Sequence, residues 1–210
     1  LEDKGIGYVI NPLGRKLSEE DLIDLVPGYD ALIAGTEPIT RRVLERADNL
    51  QLISRVGIGL DSVDLIAARE KKVQVCYTPD APSAAVGELT LGLMLTLLRS
   101  IHSSNQGMHA GEWRRFFGQR IEKCSVGIIG VGRIGRLVIN HLLGFGVERL
   151  LLNDLVERPL PKTCFPVSWC DKHEIYKEAD LISIHTPLTR VTRGMIGMPE
   201  LEMMKPGAFL

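Results

Sequence analysis

Gly130, Gly132 and Gly135 stand at a spacing that could hold a bulky anion. A short apolar run, Val126, Ile128 and Ile129, precedes them, and a helical pattern through Leu137, Val138, Leu142 and Leu143 follows. A second apolar run, 150–152, ends at Asp154. Gly130 allows a tight turn, Gly132 lets the backbone approach a pyrophosphate, and Gly135 lets the helix pack closely on the strand. A diphosphate suits the start of that helix, because the first N–H groups are unpaired and the dipole favours negative charge. With a strand before, a helix after and an acidic residue roughly 20 positions on, the pattern predicts a dinucleotide-binding βαβ unit rather than an ordinary glycine turn. Asp154 can accept hydrogen bonds from ribose hydroxyls, and its charge repels the extra phosphate of NADP. NAD is therefore the expected cofactor, although Arg158 lies near enough in sequence to accommodate that phosphate.

The elements that must position these residues alternate along the chain. Strand signals fall at 6–10, 31–34, 52–55 and 73–76, with helices expected over 19–25, after an N-cap at Thr40, and over about 62–71. Such alternation implies parallel βαβ units in an α/β architecture. Thr78-Pro79-Asp80-Ala81-Pro82 is a breaker cluster that marks a domain crossing. Beyond it, 83–101 has helical spacing with two apolar stripes, one through Val86, Leu89, Leu93, Met94 and Leu97, the other through Leu91, Leu95 and Leu98. A helix apolar on two sides must be covered on two sides, either within its own domain or by another subunit. Further on, a helix is expected at 171–177, a strand at 180–184 and a short helix begun by Pro199.

Composition narrows the partners. The 210 residues carry 25 basic and 26 acidic side chains, a net charge of −1, which gives no reason to expect nucleic acid or a membrane surface. The longest apolar run, 89–98, is too short to span a bilayer. Cys76, Cys124, Cys164 and Cys170 lack metal-ligand or CxxC spacing and suit reduced structural thiols in a cytoplasmic protein.

Three separated stretches carry a family resemblance: SRVGIGLDSVDLIAAREKKVQVCYTPDAPSAAVGELTLGLMLTLLR at 54–99, GIIGVGRIG at 127–135 and ADLISIHTPLTRVTRGMIG at 179–197. Together they resemble the D-isomer-specific 2-hydroxyacid dehydrogenases, phosphoglycerate dehydrogenase-like branch. The resemblance implies two Rossmann- or flavodoxin-like domains with parallel sheets. Residues 1–80 would form the substrate domain and 81–210 the NAD-binding domain, with the active site in a cleft between them. It implies that Arg133 and Ile134 offer backbone N–H groups to the pyrophosphate and that Asp154 holds the adenosine ribose. His185, Thr186 and Pro187 would line the cofactor side. For His185 a satisfied strand-end histidine is the alternative, and an acid–base role is not expected of it.

The loop Arg55, Val56, Gly57 and Ile58, with Gly59, resembles the family's substrate-carboxylate loop, whose glycines let N–H donors converge on an anion. Ile58 stands where relatives place a threonine, which leaves only a backbone role there. The family's catalytic arginine, glutamate and histidine are expected beyond Leu210, the chain being a portion of a longer protein lacking a strand at its start. The implied activity is NAD-dependent interconversion of a small D-2-hydroxy acid and its 2-keto acid by a homodimer. A second reading is an NAD-responsive regulatory protein on the same scaffold, as the C-terminal-binding-protein corepressors resemble these dehydrogenases, and fold alone does not separate the two.

Overall fold

The computed structural model describes all 210 residues, which divide into two compact units, Leu1–Pro79 and Asp80–Leu210. The first unit holds three parallel strands in the order β1 (Ala31–Ala34), β2 (Leu52–Arg55) and β3 (Gln74–Tyr77). Helices α1 (Glu19–Leu25), α2 (Arg41–Arg46) and α3 (Leu65–Glu70) accompany them. Each helix starts where a side chain can satisfy an orphan N–H. Ser18 and Asp21 form a reciprocal capping box on α1, Thr40 accepts from Val43, and Asp64 Oδ1 accepts from Ala67 at 2.8 Å. That cap places the start of α3 at Leu65, three residues later than the spacing alone suggested. Leu22, Ile39, Val43, Leu44, Ile53, Ala67 and Ala68 fill the core. Register places Ala34, Arg55 and Tyr77 side by side, so the three strands end in one row.

The strand expected at 6–10 does not form. Gly5, at φ 64, closes a 3₁₀ turn, the Leu1 carbonyl accepts from both Lys4 and Ile6, and no neighbouring strand offers a ladder. Ile6, Val9 and Ile10 are left exposed.

The second unit holds a four-stranded parallel sheet made of β4 (Ser125–Ile129), β5 (Arg149–Asn153), β6 (Val167–Trp169) and β7 (Leu181–Ile184), ordered β6-β5-β4-β7. Every residue of β4 is buried, as a central parallel strand covered on both faces requires. Helix α4 (Ser83–Leu98) packs across α6 (Arg133–Leu143) on one face, while α7 (Lys172–Glu178) meets β4 on the other, with α8 (Met198–Met203) against α7. Phe209 adds a parallel bridge to Leu181, so the chain returns to the sheet after Pro206-Gly207.

The long helix expected over 83–101 stops at Leu98, and α5 (Ile101–His109) continues at an angle of 69° to it. Ser100 adopts φ 51, and the Leu98 carbonyl accepts from Gln119. Of the apolar stripes, Met94 and Leu98 enter the core with Leu91 and Leu95 against them, whereas Leu89 and Leu93 face out. No single helix is long and apolar enough to cross a membrane.

Candidate dinucleotide-binding site

The turn from β4 into α6 is held on both sides. Gly130 N–H donates to the Asn153 carbonyl at 2.8 Å, and His185 N–H donates to the Ile129 carbonyl at 2.7 Å. Gly130 sits at φ 96, and a Cβ there would lie 2.7 Å from the His185 carbonyl carbon and 2.9 Å from Thr186 N. A Cβ on Gly135 would lie 2.1 Å from the Gly130 carbonyl oxygen, so this glycine brings helix and strand together. Gly132, the N-cap of α6, differs: an added Cβ would meet nothing within 4 Å. Open space at the head of an eleven-residue helix, beside the unpaired N–H groups of Arg133 and Ile134, is what a diphosphate requires.

Asp154 follows β5 directly. Its Oδ2 accepts from Val131 N–H at 2.7 Å and its Oδ1 from Leu155 N–H at 2.6 Å. Each oxygen keeps a second lone pair for a ribose hydroxyl. The carboxylate therefore also pins the glycine-rich loop, a bond between positions 23 apart in sequence that spacing does not reveal. The Arg133 side chain pairs with Asp80 at 2.7 Å.

His185, Thr186 and Pro187 leave the end of β7 beside Gly130. His185 Nε2 lies 2.9 Å from Ser183 Oγ, and burial holds its imidazole below its ordinary pKa. Thr186 is half-buried, and Pro187 is exposed, its carbonyl accepting from Thr192 at 2.5 Å. Gly127, which the motif did not single out, also shapes this sheet: a Cβ there would lie 2.4 Å from Ile175 Cγ2 of α7. None of the thiols enters the site. All four cysteines are free, and burial pushes the Cys124 thiol up to about 11.

The first unit holds the other expected site residues, in the loop that leaves β2. Gly57 turns at φ 140. Val56 N–H donates to the Ala34 carbonyl at 2.8 Å and Gly57 N–H to Thr78 Oγ1 at 2.8 Å. Those two donors are engaged inside the unit and do not converge on an anion as expected; the amides of Ile58 and Gly59 have no partner in the chain. Arg55 is 8% exposed, donates through Nη1 to the Val56 carbonyl, and leaves its Nε without a partner. Thr78 orders Gly57 from within the breaker cluster, a role that its place in the sequence does not signal.

A parallel sheet whose first βα turn carries an open glycine cradle, followed by an acidic residue at the end of the next strand, defines a Rossmann dinucleotide-binding domain. Residues 91–210 match the family described as D-isomer specific 2-hydroxyacid dehydrogenase, NAD binding domain, and the chain belongs to that family. NAD is the cofactor of this domain. The chain is similar to D-3-phosphoglycerate dehydrogenase of Methanocaldococcus jannaschii, at 36% identity over 92% of this chain and 38% of that protein. It is similar as well to hydroxypyruvate reductase of Thermotoga maritima, at 34% identity over 92% of this chain and 63% of that protein. Among solved structures, the NAD-dependent formate dehydrogenase of Staphylococcus aureus in complex with NAD superposes with a TM-score of 0.85 at 29% identity, covering 97% of this chain and 61% of that one. The chain thus spans less than two thirds of the length of these relatives.

Proposed function

We propose that the whole protein is an NAD-dependent oxidoreductase that interconverts a small D-2-hydroxy acid and its 2-keto acid. The observation that carries this reading is the open cradle at Gly132, framed by Gly130 and Gly135 and tied to Asp154 through Val131 N–H, in a chain of this dehydrogenase family. When bound, the nicotinamide supplies or takes up the hydride, while the protein orients the reactants. The N–H groups of Arg133 and Ile134 hold the diphosphate, Asp154 the adenosine ribose, and His185, Thr186 and Pro187 border the nicotinamide side. Residues 81–210 thus serve as the NAD-binding domain and 1–80 as the substrate domain. There the loop of Arg55, Val56, Gly57 and Ile58 faces the acid, with Arg55 giving the positive charge and Ile58 a free N–H, while the engaged N–H groups of Val56 and Gly57 hold the loop in place. The protein acts in the cytoplasm as a homodimer. Measuring NADH oxidation by the full-length protein against a panel of 2-keto acids tests the assignment. Turnover of at least one acid is expected; tight NADH binding with no turnover of any would overturn it in favour of the regulatory reading.

A further inference from the structure

Five buried side-chain atoms lack a hydrogen-bond partner: Glu37 Oε2, Arg55 Nε, Ser62 Oγ, His141 Nε2 and the Tyr176 hydroxyl oxygen. The first three gather at the C-terminal ends of β1 and β2: Arg55 closes β2, and Glu37 and Ser62 lie in the loops that leave the two strands. These loops are fastened together, since Ile39 N–H donates to the Ser62 carbonyl at 2.7 Å and Ile39 forms a parallel bridge with Val63. The Glu37 carboxylate lies back over Gly35, where an added Cβ would be 3.1 Å from Oε2. The Arg55 guanidinium lies back over Gly57, where a Cβ would be 2.6 Å from Nη1. Gly35 and Gly57 follow neighbouring strands, about 5 Å apart as paired strands are, whose ends are joined by the Val56 to Ala34 hydrogen bond, so the two groups lie over adjacent strand ends. Yet no ion pair joins them.

A carboxylate and a guanidinium at adjacent strand ends, each with a buried atom left without a partner, are costly unless a third body meets both. Arg55 Nε can only donate, Glu37 Oε2 can only accept while ionised, and Ser62 Oγ can do either. Their complement offers an acceptor to the arginine and a donor to the glutamate. A bare keto acid has acceptors alone. A phosphoester would bring further negative charge against Glu37 where Asp61 and Asp64 lie close in the same loop. The nearby guanidiniums cannot offset it, because Arg41 is paired with Glu70 at 2.6 Å and Arg42 with Glu19 at 2.9 Å and Glu20 at 3.0 Å.

We infer that Glu37, with Arg55 and Ser62, is a specificity-determining residue that selects a 2-keto or 2-hydroxy acid carrying an additional uncharged hydroxyl, and rejects one carrying a phosphoryl group. This rests on the reading of the Arg55 loop as the substrate edge of an oxidoreductase. The test compares kcat/KM of the full-length protein with NADH for hydroxypyruvate, for pyruvate, which lacks the hydroxyl, and for phosphohydroxypyruvate. The hydroxylated acid is expected to exceed both others by at least about 10-fold, since a site built to bond a hydroxyl discriminates strongly against its absence. Glu37→Leu should bring the ratio to pyruvate to about 1, Glu37→Gln should narrow it severalfold, and Glu37→Lys should raise relative use of the phosphoester. NADH affinity by fluorescence reports whether each variant is folded, and the near-isosteric Glu37→Gln decides should Glu37→Leu not fold. Preference for pyruvate or the phosphoester by the unaltered protein, or a ratio unmoved in both Glu37 variants, overturns the inference while leaving the oxidoreductase reading standing. Reduction of none of the three acids brings down the inference and counts against the reading beneath it.

Discussion

Asp154 carries two loads at once. It accepts from Val131 N–H, which fixes the glycine-rich turn, and it keeps lone pairs for the ribose. NADP would set a phosphate against that carboxylate and lose the ribose bonds, so NAD should bind more tightly by about 2 kcal/mol, roughly 30-fold. Calorimetric titration of both dinucleotides checks this, and equal affinities would remove Asp154 from the ribose. Asp154→Asn keeps an acceptor for Val131 and should narrow the preference, whereas Asp154→Ala also frees the loop and should weaken NAD further. His185 gives a second test at this scale. Burial lowers its pKa from 6.5 in the folded state, so as pH falls the unfolded chain takes up the proton first. Stability contributed by the neutral ring is full above about pH 6.5 and is lost as pH drops from there toward the folded value. Thermal midpoints between about pH 5 and about pH 8 should fall on the acid side, and His185→Gln should flatten that slope. An unchanged slope would place the responsible proton elsewhere.

The glycine turn acts as an element, and two of its glycines should fail in different ways. Gly132 faces open space, so Gly132→Val should abolish NADH fluorescence enhancement with little change in thermal midpoint. Gly135→Ala would drive a methyl against the Gly130 carbonyl, and should lower stability by about 1–3 kcal/mol, as overpacking commonly does, together with binding. Retained NADH binding in Gly132→Val would put the diphosphate elsewhere. The motif was legible because its spacing is a local property: α6, β4, β5 and the place of Asp154 all lie within one short stretch. What depends on a distant partner was not. Residues 6–10 are apolar like a strand but have no neighbour to pair with. In contrast β6, hidden behind Pro159, Pro161 and Pro166, is a strand because β5 lies beside it. Thr78 acts on Gly57, and the loop bearing Glu37 leaves β1 next to the end of β2, only once three strands end in one row. A sequence read in windows cannot show that adjacency.

Across the whole molecule, the unfinished business of the second unit is its outer apolar surface. Leu89 and Leu93 on α4 are 61% and 54% exposed, Ile101 and Met108 on α5 50% and 55%, and Trp113 beyond them 78%. They follow one another along two helices bent at 69° and the segment after them, so they are not scattered singly. Exposed apolar side chains in such succession suit an association surface, and a two-fold axis would let one such surface cover its copy. A stable interface needs about 800 Å² from each partner, which several large side chains on two helices can supply. The full-length protein should therefore sediment as a dimer at micromolar concentration. Leu93→Asp should shift it toward monomer without loss of NADH binding, because Leu93 points away from the core that Met94 and Leu98 enter. A monomer before any substitution, or a dimer indifferent to Leu93→Asp and to a matching Trp113→Asp, would show that this surface serves some other contact.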